Sequence, residues 1–292
     1  MGWVKGILAS IFLATNTIVV CTALFLEVLI RPLLPARGRS WLNEHLDWIN
    51  RTWTGNNRWM YETLRLSNFK VSWPEADQLS TDKWYLVICN HQSWTDIVML
   101  QSYLGGVIPA VKFFTKQQLI WVPFIGVAMW LLGFPYVRRV TREQLKANPE
   151  LRNYDRDNTL KACEGFKNHP TSVLNFIEGT RFTKEKHDRQ VGRFKHLLNP
   201  KIGGLGYVIA GMDDYLHKVV DVTIIYPRGT PEFWDFLCGK CPEIEISMIN
   251  YDIPTEILTT KDQREQRTIL AAWIETIWAA KDARISSQLE AN

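Results

Sequence analysis

Trp84-Tyr85-Leu86-Val87-Ile88-Cys89-Asn90-His91-Gln92-Ser93-Trp94-Thr95-Asp96 is the stretch from which the rest of the chain is read. Its first six residues form an apolar run that reads as a buried strand. Ser93, followed three residues later by Asp96, matches a helix N-terminus, with Ser93 as N-cap and Asp96 in the first turn. Inside one helix His91 and Asp96 would sit about 140° apart and could not meet. With His91 just outside the helix, the chain can fold back so that Asp96 reaches the imidazole. The pair then lies at a strand-to-helix turn, where the helix dipole favours negative charge.

An Asp that accepts from one ring nitrogen fixes the tautomer and leaves the other nitrogen free as a base. No Ser or Cys is an obvious nucleophile, so the base would act directly on a substrate hydroxyl. On spacing alone, a His that merely caps a helix stands beside this reading. A second cluster, Phe176-Ile177-Glu178-Gly179-Thr180-Arg181, ends the largely apolar run Ser172-Val173-Leu174-Asn175-Phe176. Arg181 offers a planar fork of donors, Thr180 a hydroxyl, and Gly179 lets backbone amides approach an anion. Alone, this cluster also fits an ordinary surface turn.

Together the two clusters resemble the first and third signature blocks of the glycerolipid acyltransferase family, which includes lysophosphatidate acyltransferases. Lys116-Gln117-Gln118-Leu119-Ile120-Trp121-Val122-Pro123-Phe124-Ile125-Gly126, with Gly133-Phe134-Pro135-Tyr136-Val137-Arg138-Arg139, is similar to the second block. Val222-Thr223-Ile224-Ile225-Tyr226-Pro227 is similar to the fourth. Phe194-Lys195-His196-Leu197-Leu198-Asn199-Pro200-Lys201 and Phe236-Leu237-Cys238-Gly239-Lys240 resemble the branch that holds lysocardiolipin acyltransferases and their bacterial relatives. The resemblance runs from about residue 66 to 255. Gln92 departs from it, standing where many relatives carry a second His or an Arg.

The resemblance implies that His91 takes the proton of a glycerol hydroxyl while Asp96 holds the imidazole. The activated oxygen then attacks an acyl thioester. Glu178, Gly179, Thr180 and Arg181 would form the phosphate side of the site. Arg139 would be a further cation, and Lys116 of the second block would also face substrate. Neither a metal nor a cofactor is implied; acyl-CoA or acyl carrier protein would be co-substrate. The implied activity is 1-acylglycerol-3-phosphate O-acyltransferase. The alternative is remodelling of lysophosphatidylglycerol or lysocardiolipin.

Composition agrees with a membrane enzyme. Of 292 residues, 46 % are hydrophobic and 13 are Trp, a residue enriched at lipid interfaces as well as in cores. The net charge of +4 suits an anionic membrane surface, and no basic stripe or recognition module points to nucleic acid. Five scattered Cys, an odd number, argue for a reducing compartment. Cys238 and Cys241 lack a second pair or nearby His, so zinc is not expected.

Gly6 to Leu26 carries no charge and is about long enough to cross a bilayer as a helix. It is too long for a signal-peptide core, so retention is expected. Arg31, Arg37 and Arg39 follow it, whereas Lys5 and the amino terminus precede it. The positive-inside rule then puts the body of the chain on the cytoplasmic side, a bacterial inner membrane being implied. Asn16 and Glu27 leave open a helix lying in one leaflet.

The remaining pattern gives residues 1–65 as a membrane anchor with an amphipathic helix, and 66–292 as the catalytic domain. Trp41 to Leu66 reads as a helix and Leu66 to Trp73 as a first strand. Leu119 to Val137 reads as a buried helix and strand lining an acyl channel. Arg138 to Asn158 reads as a surface excursion, Asp157 to Asn168 as a helix, and Thr183 to Arg193 as a loop. Lys218 to Tyr226 and Ile244 to Tyr251 read as strands, and Gln263 to Ile285 as an amphipathic helix. Strands alternating with helices predict an α/β domain, and the resemblance implies a mixed sheet flanked by helices.

Overall fold

In the computed structural model, which describes residues 2–73, 76–137, 153–190, 192–260 and 262–291, the Trp84–Cys89 run is an inner strand, β2. Tyr85, Val87 and Cys89 point to one face of the sheet and Leu86 and Ile88 to the other, each wholly buried. A strand covered on both faces needs apolar residues at every position, which is why the run does not alternate.

The six strands run in the order β1 (Asn68–Ser72), β8 (Glu243–Tyr251), β7 (Leu216–Ile225), β2, β6 (Ser172–Phe176) and β3 (Val111–Phe113). All neighbours are parallel except β7 and β8, so the sheet is mixed, as expected. A separate parallel pair joins β4 (Thr115–Lys116) to β5 (Tyr136–Val137).

One face is covered by α1 (Gly2–Ile30), α2 (Ala36–Thr63), α3 (Thr95–Leu104) and α8 (Phe233–Leu237). The other carries α5 (Tyr154–Lys167), α7 (Gly203–Met212) and α10 (Gln263–Ala291), with Phe166, Leu205, Ile274 and Trp278 at its centre. The short α9 (Thr255–Thr259) adds Ile257 to this second core.

Two segments depart from the sequence reading. Residues 183–193, read as a loop, contain the short helix α6 (Lys184–Arg189), whose N-cap Thr183 accepts from the Lys186 amide at 3.3 Å. Leu119 to Val137 is not a buried helix and strand: it holds a 3-10 turn (Gln117–Trp121), the helix α4 (Ile125–Leu131) and β5. Much of its apolar surface faces outward. Arg138 to Asn158 lies largely outside the described residues, which resume at Asn153.

Gly2–Leu33, comprising α1 and the 3-10 turn after it, is the one described helix long and apolar enough to cross a membrane. Two of its polar residues bond to α2. Asn16 donates to the Trp53 carbonyl at 3.0 Å and to Asn57 at 2.8 Å, and Glu27 pairs with His45. Lys5 donates to the Arg65 carbonyl at 3.1 Å, so α1 meets the body from its first turn.

A buried ion cluster fastens α10 to the sheet. The Lys281 ammonium, fully buried, lies 2.6 Å from Asp221 of β7 and donates to the Val222 carbonyl at 2.8 Å. The Arg284 guanidinium binds the other Asp221 oxygen at 2.7 Å. Removing one partner strands a buried charge, whereas replacing the pair by apolar groups does not. Asp221→Leu, which leaves the fully buried Lys281 ammonium without its counter-charge, should therefore lower the unfolding free energy by about 3–5 kcal/mol. Asp221→Leu with Lys281→Met should regain most of that, both read by denaturant unfolding.

Candidate active site

β2 and β6 are parallel neighbours, with Cys89 opposite Phe176 at their C-terminal ends. The turns that follow them, one starting at Asn90 and the other at Ile177, therefore leave the sheet side by side. This is where open α/β sheets commonly bind ligands. The Asn90 side chain continues the ladder toward β7, donating to the Ile224 carbonyl at 2.8 Å and accepting from its amide at 3.0 Å. That fixes the direction in which the next residue leaves.

His91 is held on four sides. Its Nδ1 lies 2.8 Å from Asp96 Oδ2, and its ring stacks on Phe176 with centroids 3.9 Å apart. Its carbonyl accepts from the Phe182 amide at 2.6 Å, and its amide donates to Glu178 Oε1 at 3.3 Å. A carboxylate can only accept, so the proton sits on Nδ1 and Nε2 keeps its lone pair. The side chain is 13 % exposed, enough to meet a substrate from one side.

Asp96, fully buried at the start of α3, collects four donors. Oδ2 takes His91 Nδ1 and the amides of Gln92 and Ser93 at 2.6 and 2.9 Å; Oδ1 takes the Tyr226 hydroxyl at 2.5 Å. Burial, then the Asp96 charge, pushes the Tyr226 phenol well above its ordinary pKa, so it stays a donor. The Ser93 hydroxyl accepts from the Thr95 amide at 3.2 Å and donates to the Pro231 carbonyl at 2.8 Å, and α3 begins at Thr95. The N-cap is Trp94, one residue later than the Ser93 read from the sequence, and it makes no side-chain cap bond; Asp96 closes the turn onto the Ser93 amide while orienting the imidazole.

The second cluster forms a tight turn in which Gly179 has φ +69°. A side chain there would be strained and would meet Lys201, whose Cδ lies 3.0 Å from the Cβ position. Lys186 of α6 donates to Thr180 Oγ1 and to the Arg181 carbonyl, both at 2.8 Å. The Arg181 guanidinium lies over the Trp94 ring, 5.0 Å from its centre, so a residue of each cluster touches the other. Three cations, Arg181, Lys186 and Lys201, surround this turn.

Glu178 is placed differently from its neighbours. Its side chain is 1 % exposed, behind the turn, with Oε2 unpartnered. Burial raises its pKa to about 8, against smaller opposing effects from the His91 amide, Lys281 and the Leu198 amide. Lys116 sits on β4, opposite Val137, and nothing among the described residues ties it to His91 or to the turn. Arg139 lies outside the described residues. His187 and His196 make structural contacts, to the Phe194 carbonyl and the Ser286 hydroxyl. Among the described residues no three His, Cys, Asp or Glu side chains gather as metal ligands.

Sequence reasoning missed Tyr226, Trp94, Lys186 and Lys201 as site residues. Tyr226 and Lys201 lie within stretches singled out for their resemblance, but nothing in local spacing tells which atoms they meet.

A family model described as Acyltransferase matches residues 70–226. The chain is 22 % identical over 220 residues to 1-acyl-sn-glycerol-3-phosphate acyltransferase epsilon of Mus musculus, covering 68 % of this chain and 56 % of the relative. It is 27 % identical over 218 residues to the gamma form of Homo sapiens, covering 68 % and 51 %. The chain thus spans about half the length of the curated relatives it matches. Its fold is similar to that of a solved 1-acyl-sn-glycerophosphate acyltransferase, PlsC, from Thermotoga maritima. That match has a TM-score of 0.50 and 16 % identity, and covers 94 % of this chain and 97 % of the other. With the family model covering more than half of its length, the chain belongs to the Acyltransferase family.

Proposed function

We propose that the protein is a 1-acylglycerol-3-phosphate O-acyltransferase, moving a fatty acyl group from acyl-CoA or acyl carrier protein to the second glycerol hydroxyl of lysophosphatidate. The observation that carries this reading is the His91–Asp96 pair hydrogen-bonded to the same turn that gathers Arg181, Lys186 and Lys201. A base beside a cationic turn suits an acceptor that carries a hydroxyl and a phosphate on one small glycerol unit. The names of the relatives agree with it.

In this reaction His91 Nε2 removes the hydroxyl proton as the oxygen attacks the thioester carbonyl. Asp96 stabilises the imidazolium that forms. The tetrahedral intermediate collapses, the C–S bond breaks, and the proton held on His91 passes to the departing thiolate. Arg181 takes the acceptor phosphate, with Lys186 and Lys201 adding positive charge and Gly179 opening room for it. Glu178, buried and holding the His91 amide, acts as a positioning residue that joins the two turns. A phosphodiester acceptor such as lysophosphatidylglycerol would meet the same cations, and the motif around Lys201 favours that second reading.

Arg31, Arg37 and Arg39 beyond α1, against the single Lys5 in its first turn, support a catalytic body on the cytoplasmic side of a membrane, an inner membrane if the source is bacterial. The contacts of α1 with the body from Lys5 onward favour a helix lying along one leaflet, from which the acceptor is taken without leaving the lipid.

Thiol release from a labelled acyl thioester, measured across a panel of lyso-acceptors, should be fastest with lysophosphatidate. His91→Ala should lower kcat by about 10²–10⁴-fold, the contribution of a positioned base. Unchanged turnover in that variant would remove the mechanism, and preference for a phosphodiester acceptor would select the second reading. Glu178 gives a separate test. Its carboxyl stays protonated in the folded state up to about pH 8, against an ordinary value of 4.5, so folding resists its ionisation. Stability from this group is whole below 4.5 and is lost as pH rises to about 8. Glu178→Gln should therefore flatten the fall in melting temperature across that window.

A further inference from the structure

Within the stretch that resembles the second block the chain displays a cluster of large apolar side chains: Ile120, Trp121, Phe124, Ile125, Val127 and Trp130. Trp121 is 85 % exposed and Trp130 60 %. No residue from Leu119 to Val137 carries a charge, and the exposed Lys116 stands just before this run. Water would drive such a cluster inward unless something covers it.

The backbone holds these side chains outward. Phe124 has φ +62°, a region unfavourable for a residue with a Cβ. The Gly126 backbone passes so close to the turn that a Cβ there would lie 2.2 Å from the Ile120 carbonyl oxygen. The Gly126 amide donates to the Val122 carbonyl at 2.9 Å, and the Tyr136 hydroxyl to the Gly126 carbonyl at 2.7 Å. Strain of this kind persists only where surrounding structure enforces it.

The cluster is continuous with α1. The inner side of α4, through Ala128, packs on Val20, Cys21 and Leu24, and the Cys21 thiol donates to the Phe124 carbonyl at 3.5 Å. Ile18, Val19, Phe25 and Leu26 of α1 are likewise exposed. A patch that borders the one described helix apolar enough to cross a membrane has lipid as its fitting cover. Trp is the side chain best suited to the boundary between headgroups and acyl chains.

We propose that Ile120–Trp130 is a second membrane-contacting element, seated in lipid beside α1. Trp121 and Trp130 lie at the interface, and the protein meets the bilayer along a surface rather than by a single helix. The inference rests on α1 lying in lipid and is independent of which reaction the site performs.

The five native cysteines are buried, so a cysteine introduced at the surface can be labelled selectively. Full-length Trp121→Cys, carrying a nitrobenzoxadiazole label, is reconstituted into phosphatidylcholine–phosphatidylglycerol vesicles with or without a nitroxide-bearing lipid. Its emission should be blue-shifted and quenched by the nitroxide lipid to the extent seen for a label at Ile18→Cys. A label at Lys195→Cys should stay water-like. Trp130→Cys is read in the same way, so a folding failure at one position does not leave the test empty. Water-like, unquenched emission at both positions overturns the proposal. So does a blue shift that ignores the quencher and fades on dilution, which would assign the patch to a second copy of the chain.

Discussion

One carboxylate organises the turn that follows β2. Asp96 is fully buried, yet its two oxygens accept from four donors: the imidazole, two backbone amides and the Tyr226 hydroxyl. A buried charge is tolerated only when its lone pairs are met in this way, and each donor fixes one degree of freedom. The amides of Gln92 and Ser93 set the turn, the imidazole is oriented through Nδ1, and Tyr226 ties the group to the end of β7. The same contacts that make the charge bearable hold the imidazole rigid.

Sheet order explains how residues far apart in sequence share a site. His91 and Glu178, 87 positions apart, meet because β2 and β6 are parallel neighbours whose last residues are in register. Parallel strands point their C-terminal ends the same way, so consecutive functional turns arise on one edge of the sheet. Phe176, the last residue of β6, then supplies the ring against which the imidazole stacks. On the far side of the sheet, the Asp221–Lys281–Arg284 cluster fixes α10, which in turn holds Leu198 through the Trp278 indole at 3.0 Å.

Much of this was legible in the sequence because it is local. The Trp84–Cys89 run, the turn that folds Asp96 back to His91, and the strand before Glu178 are set by neighbours within a few residues. The fold class followed from their alternation with helices. What stayed hidden depends on contacts across the sheet. Glu178 reads like its neighbours in the motif, but tertiary packing buries its carboxyl while leaving Arg181 facing Trp94. Tyr226 closes a strand and gives no local sign that its hydroxyl reaches Asp96. Leu119 to Val137 misled for another reason. Apolar composition predicts burial, yet the turn at Phe124 and Gly126 leaves Trp121 and Trp130 exposed.

The account depends most directly on the protonation pattern of His91. Nitrogen-15 spectra of histidine-labelled protein, with the His91 signals identified by their loss in His91→Gln, read which ring nitrogen carries the proton. Above the pH at which the imidazole is charged, a proton on Nδ1 and a bare Nε2 is the expected result. A neutral ring protonated on Nε2 would mean that Asp96 does not hold the base, and the proposed chemistry would have no proton acceptor.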